Sequence, residues 1–103
     1  MAQNETNGSD QLQVRHEKAA QRFAARLDRK IAYLSYEQID EKTLDYAHVF
    51  VPPEFRGGGV ASTITKVALD YARESGFSVV PSCPFVSAYL RRHPEYQDLP
   101  PDA

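Results

Sequence analysis

The stretch Val51-Pro52-Pro53-Glu54-Phe55-Arg56-Gly57-Gly58-Gly59-Val60-Ala61-Ser62 carries the strongest chemical signal in this chain. An apolar run stops at a double proline, which lacks amide donors and cannot continue a sheet. A basic residue and three glycines follow, and a helical pattern then starts at once. Glycines accept positive φ and leave the backbone bare to an approaching ligand. Unpaired N–H groups at a helix start, with the helix dipole behind them, suit an anion. The turn therefore reads as a cradle for a pyrophosphate, with a ligand-free connector as the alternative. Gly59 is followed by Val60-Ala61, so the Gly-Lys-Ser/Thr ending of a P-loop is absent. A dinucleotide fingerprint would need an early βα unit, whereas this loop sits in mid-chain.

Cys83 is the second candidate. It lies before Pro84 at an expected helix N-terminus, where the dipole lowers a thiol pKa and favours a nucleophile. The competing role is a small, inert buried residue. His48 could orient a water or act as a base for Cys83, or it could be a hydrogen-bonded core histidine. His16 and His93 read as surface residues. Three scattered histidines and one cysteine give no metal-ligand spacing, so no metal is expected.

The elements that must position these residues follow from periodicity. Residues 1–11 are polar and read as a loose tail. Leu12-Gln13-Val14 suits a short strand, and 16–21 a turn. Phe23, Ala25 and Leu27 alternate with polar positions, predicting a strand over Arg22–Leu27, with a helix over 17–27 as the competitor. Ile31–Ile39 predicts the next strand, with Ala32, Leu34 and Tyr36 on one face. Thr43–Val51 predicts a central strand. Strict alternation there puts Leu44, Tyr46, His48 and Phe50 on one side and Ala47, Val49 and Val51 on the other. Short polar connections favour an antiparallel meander. Val60, Ala61, Ile64, Val67, Ala68, Tyr71 and Ala72 recur at helical spacing, and Gly76 suits the helix end. Phe77–Val80 reads as a short strand ended by Pro81. Pro84 opens a second helix with Phe85, Val86, Tyr89 and Leu90 as its buried stripe. Arg91-Arg92-His93 suit its negative end, Pro94 stops it, and 97–103 reads as a frayed tail.

Composition bounds the partners. The chain has 103 residues, enough for one domain with a modest core. A net charge of −2 gives no general attraction to nucleic acid or an anionic membrane. Tyr33, Tyr36, Tyr46 and Tyr71 read as packing residues, with no basic stripe to make a base-stacking platform. No apolar run approaches the roughly 20 residues of a membrane span. The start lacks the regions of a signal peptide, and a lone cysteine excludes an internal disulfide. The expectation is a cytoplasmic protein with neither nucleic-acid nor membrane partners.

The order of strands, phosphate-type loop, helix, strand and final helix resembles the GNAT superfamily of acetyl-coenzyme A-dependent N-acetyltransferases. Its pyrophosphate motif, Gln/Arg-x-x-Gly-x-Gly/Ala, is matched at each fixed position by Arg56-Gly57-Gly58-Gly59-Val60-Ala61. A short branch of that superfamily carries segments similar to His48-Val49-Phe50-Val51-Pro52-Pro53-Glu54-Phe55-Arg56-Gly57-Gly58-Gly59 and Val80-Pro81-Ser82-Cys83-Pro84-Phe85-Val86. The resemblance covers residues 12–96. It implies an α+β fold with a mostly antiparallel sheet, splayed central strands and two main helices. It also implies acetyl-CoA as acetyl donor. The pantetheine arm would pair with backbone at Val49, Phe50 and Val51, and the phosphates would sit on Arg56, Gly57, Gly58, Gly59, Val60, Ala61 and Ser62.

Many members place a glutamate base on the strand before the loop, where this chain matches Phe50, and a tyrosine acid in the last helix, near Leu90 here, with Tyr89 one residue off. The resemblance therefore implies an N-acetyltransferase acting on an unidentified amine through Cys83, with His48 in support. A non-catalytic acyl-CoA-binding or protein-interaction domain is the alternative. Arg91 and Arg92 read as compensating the helix dipole rather than as phosphate ligands.

Overall fold

The computed structural model describes residues 12–101. The expected tail over 1–11 lies outside them, as do residues 102–103. Five strands form one sheet in sequence order: β1 (Val14–Glu17), β2 (Arg22–Leu27), β3 (Lys30–Asp40), β4 (Thr43–Phe50) and β5 (Ser78–Val80). The first four run antiparallel through short turns, and β5 joins β4 in parallel. A parallel partner needs a crossover. Helix α1 (Val60–Ser75) supplies it, and α2 (Pro84–Arg92) follows β5.

Pattern and structure agree over most of the chain. Phe23, Ala25 and Leu27 on β2 face Leu34, Ala32 and Lys30 on β3, and the apolar residues among them are buried. On α1, Val60, Ile64, Ala68 and Ala72 seal this face, joined by Thr65 and Leu69, while Val67 stays 37% exposed. The helix ends at Gly76, whose φ of 82° is left-handed. Val86, Tyr89 and Leu90 on α2 complete the same core. Both helices thus seal one face of the sheet, and neither covers the other.

Four expectations need correction. First, alternation fails in β4. Ser35 pairs with His48 and Tyr36 with Tyr46, so Ala47 is an additional residue, a β-bulge. Beyond it the faces exchange, because a single added residue reverses a period of two. Val49 and Val51 join Leu44 and Tyr46 on the core side, whereas His48 and Phe50 reach the open face beside Tyr33. Second, β1 is Val14–Glu17, later than the expected 12–14, and Lys18–Ala20 forms a 3-10 turn.

Third, His16 is no surface residue. It is half-buried, its ring stacks on Phe23 at 4.2 Å and meets Tyr71 edge-on at 4.4 Å, and Nε2 lies 2.6 Å from Tyr36 Oη. His93 likewise stacks on Tyr89 at 3.9 Å. Fourth, the chain past residue 97 is not frayed as far as Pro101: Leu99 is buried, and its carbonyl accepts the Val79 amide at 2.9 Å. A strand edge exposes unpaired amides, and this segment pairs one of them.

Candidate functional site

Strands β4 and β5 form a fork. They pair at Thr43–Ser78, Leu44–Val79 and Asp45–Val80 and then separate. Two causes lie in the sequence. Pro81 has no amide donor to continue the ladder, and the bulge at Ala47 bends β4. The last bond at the apex runs from the Cys83 amide to the Tyr46 carbonyl, at 3.1 Å. Tyr46 is fixed there by its hydroxyl, which donates to the Ala68 carbonyl of α1. Beyond the apex, the half of β4 from Ala47 to Phe50 has no β5 partner.

The fork opens toward the glycine loop. Pro53–Phe55 makes a 3-10 turn, and Lys30 Nζ holds Glu54 Oε2 at 2.5 Å. Arg56 Nε donates to the Val51 carbonyl at 2.9 Å, which folds the loop back on the end of β4. Gly57 and Gly59 have φ of 89° and 85°, a region that costs an L side chain about 1–2 kcal/mol. Gly59 is the N-cap of α1. It offers no side-chain cap, and the first turn contains no acidic residue. The first intrahelical amide bond is Thr63 N–H to the Gly59 carbonyl, at 3.0 Å. The N–H groups at the start of α1 therefore lack both an internal partner and a compensating charge.

A cavity of about 240 Å³ lies at this helix end, lined by Val51, Phe55, Arg56, Gly57, Gly59, Val60, Ala61, Ser62 and Phe85. Most residues expected to hold the coenzyme thus meet around one space. Phe55 and Phe85 were not anticipated. Periodicity puts Phe85 in a buried stripe, but it is half-buried and lines the cavity from the first turn of α2. Phe50 and His48 lie on the open face.

Cys83 sits at the N-cap of α2, with Pro84 at the first helical position, as the sequence suggests. Its side chain is 5% exposed and belongs to the core, and its carbonyl accepts the Ser87 amide. His48 is exposed, with Tyr33 as its ring neighbour. Among the described residues, no hydrogen bond joins His48 to Cys83. Nor does any group of three or more His, Cys, Asp or Glu residues there have the arrangement of a metal site.

A mostly antiparallel five-stranded sheet forked at its parallel pair, with two helices, is an α+β fold of the GCN5-like type. The chain belongs to the GCN5-related N-acetyltransferase family, whose model matches residues 22–99. Among curated proteins it is similar to Protein NATD1 of Xenopus tropicalis, 32% identical over 88% of this chain and 85% of that protein. Protein NATD1 of Homo sapiens is 30% identical over 85% of this chain and 80% of its own length. The NMR solution structure of a GCN5-like protein from Staphylococcus aureus superposes with a TM-score of 0.69 at 26% identity, covering 85% of this chain and 86% of that one.

Proposed function

We propose that this protein transfers the acetyl group of acetyl-CoA to an amine, with the coenzyme lying along the fork. The observation that carries the reading is the start of α1. An uncapped, acid-free N-terminus with two glycines at positive φ faces a cavity that reaches Val51, the residue after β4. The amides of Val60, Ala61 and Ser62 would hold the pyrophosphate, with Gly57, Gly58 and Gly59 letting it approach. The backbone of Val49, Phe50 and Val51 would pair with the pantetheine amides, as a missing β5 strand would. Phe55 and Phe85 exclude water on either side.

The chemical step is assigned to Cys83. Its sulfur attacks the thioester carbonyl, the bond from that carbon to coenzyme A sulfur breaks, and the released thiol takes the proton. A neutral amine then attacks the acetyl-cysteine, the carbon–sulfur bond to Cys83 breaks, and the proton lost by nitrogen restores the thiol. His48, on the open face, would order a water or the arriving amine. A second reading, a coenzyme-binding domain without catalysis, is favoured by the lack of a His48–Cys83 bond and by Phe50 on β4. Direct transfer within a ternary complex is the third outcome.

One experiment separates them. Mass spectrometry after incubation with acetyl-CoA should show one acetyl group on Cys83, removed by hydroxylamine and absent in Cys83→Ala. Amide shifts at Val49–Val51 and Gly57–Ser62 on adding coenzyme A should persist in that variant. Shifts without labelling or turnover support the non-catalytic reading. Full turnover in Cys83→Ala supports direct transfer, and no shifts at millimolar coenzyme overturn the whole assignment.

A further inference from the structure

We propose that Lys30 is a positioning residue for the coenzyme: acting through Glu54, it holds the glycine loop in the shape that receives the phosphates. The proposal rests on the coenzyme reading of the fork. Lys30 closes the two-residue turn between β2 and β3, paired with Leu27 across it, so its backbone is fixed by the sheet. Glu54 lies in the 3-10 turn that leads into the glycines. The two side chains meet at 2.5 Å and join an ordered hairpin to an irregular stretch of chain.

Three other ties of this stretch are local. The Phe55 amide donates to the Pro52 carbonyl, the Arg56 amide to the Pro53 carbonyl, and Arg56 Nε to the Val51 carbonyl. They shape the turn without fixing where it stands against β2 and β3. Packing among the described residues leaves a cavity of about 340 Å³ on that side of the loop. Leu12 before β1 and Leu27 at the end of β2 line it, together with Glu54, Phe55, Gly58 and Val60. Phe55 and Val60 also line the cavity at the start of α1. A shift of the loop into the first space therefore reshapes the second. The bridge holds Glu54, at the border of the first space, against that shift.

Magnitude and sign define the role. Both partners are about half exposed, and an exposed ion pair contributes little to folding. A loop already held in its bound shape, however, loses less freedom when a ligand arrives. Glu54 is also an anion beside a site for anions. On charge alone, removing it would strengthen coenzyme binding; positioning requires the opposite.

The test is titration calorimetry of coenzyme A with the full chain. The variants are Lys30→Met, Glu54→Gln, the two combined, and the charge swap Lys30→Glu with Glu54→Lys. Each single substitution should weaken binding about threefold and leave the melting temperature unchanged. The combined neutral variant should be no weaker than either single one, because both remove the same interaction. The swap should return to within about twofold of the parent. Unchanged or tighter binding in Glu54→Gln overturns the proposal. So does a loss in Lys30→Met that the swap fails to repair, since Lys30 would then touch the phosphates directly. A parent that binds no coenzyme A at millimolar concentration overturns the reading of the fork, and the proposal with it. A parent that binds while the single variants match it overturns the proposal alone.

Discussion

Thr65 is fully buried in α1, and its hydroxyl oxygen has no hydrogen-bond partner among the described residues. A desolvated, unpaired hydroxyl is a cost with no return. Valine keeps the branched shape without the polar atom, so Thr65→Val should raise stability by about 1 kcal/mol in urea unfolding. His16 gives the opposite kind of case, a polar group whose partner depends on its charge. Burial, and then the nearby Lys18 ammonium, hold its pKa below the usual 6.5. The unfolded chain therefore takes up the proton first as pH falls. Stability is complete above about pH 6.5 and declines below it, until the folded protein is protonated too. His16→Gln, which keeps a polar group for Tyr36 but does not titrate there, should flatten the melting temperature between pH 7.5 and 5.5. The parent should lose stability over that interval.

Among the elements, β4 decides the site. The bulge at Ala47 bends the strand where β5 leaves it, and it fixes which side chains face the core. Removing Ala47 restores plain alternation while keeping Val49 and Val51 inward and His48 and Phe50 outward. The variant should fold with a melting temperature near the parent's and bind coenzyme A about tenfold more weakly, a loss of about 1.4 kcal/mol, as titration calorimetry would measure. Unchanged affinity would mean that Pro81 alone makes the fork.

This element also marks how far the sequence could be read. The loop and α1 were legible, because glycine conformation and helical period are local properties of consecutive residues. A bulge is not: it belongs to a pair of strands, and Thr43–Phe50 alternates well enough on its own to conceal it. His16 was missed for a similar reason, since its aromatic neighbours Phe23, Tyr36 and Tyr71 come from three other elements.

At the scale of the whole molecule, the C-terminal segment ties the second helix to the first and closes the sheet. Tyr96 is buried and donates to Asp70 of α1 at 2.6 Å. Burial and that bond to a carboxylate push its hydroxyl pKa up to about 12. Leu99 then caps the edge of β5. Leu99→Ala should cost about 2–5 kcal/mol in denaturant unfolding, the usual range for truncating a buried leucine. A smaller loss would show that the backbone bond to Val79 matters more than the side chain.

The single parallel pair of the sheet also sets an order in time. Strands β1 to β4 meet through short turns, which close at little entropic cost, whereas β5 reaches β4 only after the loop and all of α1 are in place. Contact order therefore predicts that the fork is the last part of the sheet to assemble and the first to come apart. In hydrogen exchange, the Ser78 and Cys83 amides, which donate to Lys42 and Tyr46, should exchange faster than those at the centre of β2 and β3. Saturating coenzyme A should slow them, because a ligand spanning the fork must leave before it opens.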